Sequence, residues 1–197
     1  MIVTVSGEIG AGKSTVARAL ARALGLRYLS TGEVFREEAR KRGVTLAELG
    51  RLAEQDSSID RTIDEMQVQA ARAGDILVDS RLSGWLIGGD LRIWLRAPLA
   101  VRAARVAARD GTDVARAARD VQTREACEHH RYRQTYQLDL TDLTRYHVIV
   151  DTAMWGADEI VAALLVLARG RFGRGGSGSV GGAAPGVGGS AVHGRSG

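Results

Sequence analysis

Of the 27 basic residues in this 197-residue chain only Lys13 and Lys41 are lysines, and Lys13 stands next to last in the run Gly7-Glu8-Ile9-Gly10-Ala11-Gly12-Lys13-Ser14. Glycines at this spacing let backbone N–H groups converge on phosphate oxygens, and a helix opening at Lys13 would add the positive end of its dipole. In this Walker A pattern the lysine reaches the β- and γ-phosphates and the serine ligates Mg²⁺, so Gly7 through Thr15 is the expected ATP cradle. A chain that otherwise uses arginine keeps an ammonium here because a compact charge fits among phosphate oxygens where a guanidinium does not. Asp79 follows Ile76-Leu77-Val78 at the end of an apolar run. A carboxylate in that place either holds Mg²⁺, with Ser14, or caps the next turn.

Arginine placement supplies the second half of the chemistry. Ser30-Thr31-Gly32-Glu33-Val34-Phe35-Arg36 and Asp79-Ser80-Arg81 each deliver a guanidinium just after a short strand-like run. A guanidinium fork forms two parallel charge-assisted bonds to a phosphate, so Arg36 and Arg81 together predict a site for a second phosphate-bearing substrate. Arg124, Glu128 and Arg131 are spaced four and three apart and share one helical face. Taken alone, that face reads equally as a surface ion-pair ladder. Cys127, His129 and His130 interleave with it, but their spacing is not that of a metal site, and they read as structural or exposed residues.

These groups need elements to hold them. Ile2–Ser6 is a β-branched run, and Val16, Ala19, Leu20, Ala23 and Leu24 recur at helical spacing up to Gly25. Arg27–Leu29, Asp75–Asp79, Asp90–Leu95 and Tyr146–Asp151 read as further short strands with helices between them, which predicts a parallel sheet covered on both faces. Ser30 is an N-cap for a helix over Glu33–Lys41, three helical segments are expected between residues 45 and 73, and one long helix over Val114–Tyr136. From residue 169 the chain is glycine-rich, with 12 glycines in residues 170–197, and is expected to be a disordered tail.

The formal charge of +4 is concentrated in that acid-free tail, which carries Arg171, Arg174 and Arg195. The rest is nearly neutral, which argues against broad electrostatic binding of nucleic acid. One cysteine, no signal-like opening and no apolar run long enough to span a bilayer point to a cytoplasmic protein with no membrane partner.

From Met1 to about Leu167 the chain resembles cytidylate kinases of the short, archaeal type. The likeness is carried by the phosphate loop, Ser30–Arg36, Val78–Trp85, Ile93-Trp94-Leu95-Arg96-Ala97-Pro98 and the Arg124–Glu128–Arg131–Tyr132 face. It implies an α/β P-loop fold of three α/β/α layers on a five-stranded parallel sheet, a helical acceptor-binding insert at about 32–73 and a short lid at about 105–125, all within a domain spanning 1–168. It further implies ATP and Mg²⁺, with transfer to CMP or dCMP by a monomer. Lys13, Arg124 and Arg131 would be catalytic, Arg105 and Arg109 would lie over ATP, and Ser30, Thr31, Gly32, Arg36, Arg81 and Glu128 would hold the acceptor. Asp151-Thr152-Ala153 stands where relatives often place Asn-Thr-Ser beside adenine. Ser83, Asp64 and Glu128 are candidates to read the base. An acceptor oxygen that is already anionic needs no strong general base. Another monophosphate acceptor (AMP, UMP or dTMP), a small-metabolite kinase and a nucleotide-binding module without transfer remain the alternatives.

Overall fold

The computed structural model describes residues 1–172. Residues 173–197, which hold most of the expected tail, lie outside the described residues. The elements run β1 (Ile2–Gly7), α1 (Lys13–Leu24), β2 (Arg27–Ser30), α2 (Thr31–Arg42), α3 (Leu46–Gln55), α4 (Ser58–Arg72), β3 (Ile76–Asp79), α5 (Ser83–Leu86), β4 (Leu91–Arg96), α6 (Leu99–Asp110), α7 (Val114–Tyr136), β5 (Val148–Asp151) and α8 (Ala157–Phe172). All five strands pair in parallel, in the order β2-β3-β1-β4-β5. The chain is an α/β P-loop fold, as its alternation of short strands and amphipathic helices predicts.

Strand order and register place the chemistry. β1 is central, so the loop after Gly7 opens at the carboxyl edge where the connections diverge, which is where open α/β sheets bind ligands. Ser30 of β2 lies beside Asp79 of β3, and Val5 of β1 flanks Asp79 on its other side. Gly7 has φ 146°, and a Cβ there would lie 2.0 Å from the Leu95 carbonyl oxygen, so only glycine lets the loop leave β1 against β4.

The main core packs the sheet against α1 and α8 through Val3, Val5, Leu20, Ile93, Leu95, Ile160 and Leu164. α2, α3 and α4 gather a smaller core of Ala39, Leu49, Ala53 and Ile59 with Phe35 and Leu46, and form an insert between β2 and β3. This region contains two helices after residue 45, where three segments are expected. Thr45 and Glu48 form a capping box that starts α3, and the chain breaks only at Asp56-Ser57 before α4.

Strand starts also shift. Asp75 adopts φ 46°, which delays β3 to Ile76. Tyr146 is buried in an aromatic cluster with Trp85 and Trp94 and precedes β5, which begins at Val148. At the other end, α8 continues through Phe172, four residues past the expected boundary at 168. α6 and α7 meet at a turn through Gly111-Thr112-Asp113, and this hairpin occupies the range expected of the lid.

Candidate active site

One cleft of about 690 Å³ runs along the carboxyl edge of the sheet. The phosphate loop forms one end of it, and α2, α4 and α7 form the other. The loop is shaped by its backbone. Gly10 and Gly12 have φ 80° and 84°, and a Cβ on Gly10 would meet the Arg102 carbonyl oxygen at 2.7 Å. The Glu8 amide donates to the Leu95 carbonyl at 3.0 Å and the Ile9 amide to Glu125 Oε1 at 3.1 Å. Those two amides therefore build the loop. Gly10, Gly12 and the first turn of α1 (Lys13, Ser14 and Thr15) line the cleft, and a first helical turn leaves its N–H groups without intrahelical partners and free for an anion.

Lys13 Nζ donates to the carbonyls of Gly7 at 3.0 Å and Glu8 at 2.8 Å. Burial, and then the neighbouring Arg81 charge, push its pKa down to about 8. Arg81 also donates to the Gly7 carbonyl, and its Nε meets Glu128 Oε2 at 2.6 Å. Burial opposes ionisation of Glu128, but Arg81, Arg124 and Arg131 outweigh it and hold its carboxyl below the usual range.

Arg36, at the rim on α2, and Arg124, on α7, line the same cleft, and neither makes a hydrogen bond or ion pair among the described residues. Burial and the cations of Arg109 and Arg81 weaken the hold of Arg124 on its proton. Arg36 is close enough to Asp110 at the end of α6 to help hold that carboxyl low, after the larger effect of Arg109. Cations without a direct ion pair in a cleft are the groups an incoming polyanion would engage.

Asp79 gathers three hydroxyls on one carboxylate oxygen: Ser14 at 2.6 Å, Tyr28 at 3.1 Å and Ser30 at 3.3 Å. Asp79 is 3% exposed and the donors are all hard oxygen atoms. One carboxylate beside one hydroxyl at a phosphate loop suits Mg²⁺, which keeps several waters and takes its remaining ligands from phosphate. Ser14 and Asp79 fit that ion. Ser30, Thr31 and Gly32 line the cleft at the start of α2, where Ser30 accepts from the Glu33 amide as the N-cap.

Two of the expected residues sit deeper than their roles suggest, Arg131 in the wall of the cleft and Ser83 outside it. Arg131, grouped above with the catalytic residues, is 4% exposed, and its Nε approaches Asp60 Oδ2 to 2.6 Å. The two atoms lack the alignment of a hydrogen bond, so the contact is an ion pair. Nη1 adds the Gly50 carbonyl at 3.3 Å and Cys127 Sγ at 3.6 Å, so this guanidinium is engaged with the insert. Ser83 is fully buried against Ser6, at 3.1 Å, and does not line the cleft, which removes it from the base-reading candidates.

Arg105 and Arg109 both reach the cleft from α6. Arg105 donates at 2.8 Å to both the hydroxyl and the carbonyl of Thr152, and the Thr152 hydroxyl donates to the Ala11 carbonyl at 2.9 Å. Thr152 thus fastens the α6–α7 hairpin to the phosphate loop.

Sequence reading misses the support behind the loop. Arg102 is 7% exposed, donates to the carbonyls of Ala97 and Ile9, and pairs with Glu125 at 2.8 Å and Glu8 at 3.1 Å. Its spacing to Arg105 and Arg109, three and seven residues on, is a signal for one α6 face, but the carboxylates it meets come from two distant segments.

The family model described as "Cytidylate kinase-like family" matches residues 2–154. A cytidylate kinase of Methanocella arvoryzae is 47% identical over 158 residues, covering 80% of this chain and 90% of that one. A cytidylate kinase of Pyrococcus furiosus is 40% identical, covering 82% of this chain and 85% of that one. Among solved structures, a gluconokinase from Sinorhizobium meliloti superposes with a TM-score of 0.55 at 19% identity, covering 87% of this chain and 95% of that one. A shikimate kinase from Acinetobacter baumannii superposes at 0.53 and 18% identity, covering 86% and 93%. At those identities the two structures speak for the fold alone.

Proposed function

The chain belongs to the cytidylate kinase-like family and is a phosphotransferase acting on nucleotides, and from that premise we propose that it transfers the γ-phosphoryl group of ATP to CMP, giving ADP and CDP. One observation carries the reading: the phosphate loop with Lys13 and a separate arginine-lined end with Arg36, Arg81 and Arg124 open into a single cleft.

The loop and the N-terminus of α1 would seat the β- and γ-phosphates of ATP. Lys13 would leave the Gly7 and Glu8 carbonyls for phosphate oxygens, an exchange that restores a full partner to its charge. Arg36, with Arg81, would grip the acceptor phosphate by charge-assisted bonds, and Glu128 would hold Arg81 in aim through their 2.6 Å contact. An unprotonated oxygen of that phosphate attacks the γ-phosphorus in line as the bond to the bridging oxygen of ADP breaks, so no general base is required. Charge spreading over the transferred group would meet Lys13, Arg124 and Arg109. Ser14 and Asp79 would hold Mg²⁺, which would supply charge neutralisation to the triphosphate. Arg131 acts at one remove here, by tying α7 to α4.

A coupled assay of ADP release tests this across CMP, dCMP, UMP, AMP and dTMP at saturating ATP and Mg²⁺. CMP is expected to give the highest kcat/KM. A higher value for another monophosphate would replace the acceptor, and release with none of them would remove the kinase reading.

A further inference from the structure

The acceptor end of the cleft has a floor of its own, built by one face of α4. Asp60, Ile63 and Asp64, spaced three and four apart, all line the cleft together with Phe35, Leu46 and Tyr132. Apolar walls with a polar group at one edge suit a flat nucleobase. The charges that act on Lys13 come from Arg81, Asp79, Glu128 and Arg124, whereas those that act on Asp64 come from Asp60 and Arg131. Different charges thus dominate at Lys13 and at Asp64, with Glu128 and Arg131 lying between them.

Three carboxylates could read a base from here, and two are already committed. Asp60 is paired with Arg131, and Glu128 with Arg81. Among the described residues Asp64 has no ion-pair partner. It accepts instead from the Tyr136 hydroxyl at 2.6 Å and from Gln67 Nε2 at 2.6 Å, one neutral donor on each oxygen. Those two bonds fix its plane and leave acceptor capacity on both oxygens, since a carboxylate offers about four lone-pair sites. Burial pushes the Asp64 pKa up to about 6, so the group is poorly solvated yet ionised at neutral pH and gains from an added donor.

Resting on the CMP reading above, we propose that the Asp64 carboxylate accepts a hydrogen bond from the 4-amino group of cytosine and is the residue that sets cytosine above uracil. An ionised carboxylate only accepts. Cytosine presents N–H donors at position 4, and uracil presents an oxygen there, which would face the carboxylate with two acceptors and no proton between them. Sites built around such a bond discriminate because the mismatched partner leaves a buried polar group unpaired.

The test compares kcat/KM for CMP and UMP in the wild-type enzyme and in Asp64→Asn at pH 8, with ATP KM and thermal stability measured alongside. An asparagine amide both donates and accepts, so it pairs with either edge. The expected result is a fall of roughly tenfold or more in the CMP-to-UMP ratio with ATP KM unchanged. A second arm needs no variant: CMP lacking its 4-amino group (the pyrimidin-2-one ribonucleotide), tested with the wild-type protein, should lose roughly ten- to hundredfold in kcat/KM relative to CMP. An unchanged ratio in Asp64→Asn, or an analogue turned over as well as CMP, overturns the assignment. Failure of the wild-type enzyme to phosphorylate CMP at all would instead sink the functional reading on which it rests.

Discussion

Lys13 is the single side chain whose state a phosphate ligand should change most. In the free enzyme its ammonium is buried, faces Arg81 and donates to two carbonyls, and burial with Arg81 outweighs the Asp79 and Glu128 carboxylates and lowers its pKa from 10.5 to about 8. Between pH 8 and 10.5 the unfolded chain therefore binds more proton than the folded one, so this group's contribution to stability improves as pH rises through that window. Below pH 8 its full cost is present. Bound triphosphate reverses the balance by surrounding the ammonium with negative oxygens, and its pKa should return upward. ATP binding near pH 8 should then take up a fraction of a proton approaching one half. Calorimetric titration in two buffers of different ionisation enthalpy measures this directly; no uptake in wild type would overturn the lowered Lys13 pKa, and uptake that persists in Lys13→Met would show that another group titrates.

At the scale of elements, the ends of the cleft are joined by buried charges between helices. α7 spans the range its periodicity predicts, and Arg124, Glu128 and Arg131 share its face as their spacing requires. What spacing does not carry is the partner each one meets. Asp60 and Gly50 come from α4 and α3, and nothing local to Arg131 announces them, so one guanidinium on a face with two others becomes a strap to the insert. The same gap in legibility covers Arg102, whose carboxylates arrive from the loop after β1 and from α7. Motifs whose geometry is contained in one turn, such as Gly7–Ser14 or the Thr45–Glu48 cap, are readable from the chain because their partners are a few residues away. Arg131→Leu should leave Asp60 buried without its cation and destabilise the fold by about 3–5 kcal/mol, measured by denaturant unfolding. Adding Asp60→Leu should recover most of that loss, because two apolar side chains replace two desolvated charges. A single variant of unchanged stability but collapsed kcat would return Arg131 to direct phosphate contact.

For the whole molecule, the question is how much of the chain the cleft requires. Among the described residues, those that line the cleft fall between Ile9 and Ile160, and the last of the main core is Ala168. α8 packs on α1 and the sheet through Ile160, Val161, Leu164 and Ala168, so its length supports the phosphate loop from beneath. It also continues to Phe172, which sets the place for a cut. Ending the chain after Phe172 removes a segment containing Arg174 and Arg195, no acid and few apolar side chains, and lowers the formal charge from +4 to +2. Burial of apolar surface is the main source of stability, and the removed composition has little to bury. The shortened protein is therefore expected to keep the melting temperature within a few degrees and to keep kcat and both KM values within about twofold. A steady-state comparison at low and moderate ionic strength checks this and also asks whether the basic tail draws polyanionic substrates to the cleft. An attraction of that kind would appear as a KM that rises on truncation at low salt and converges with the full-length value as salt is added, because exposed charges are screened within about 10 Å at 0.1 M. A loss of kcat at both salt concentrations would instead mean that the segment touches the folded domain and completes part of the site.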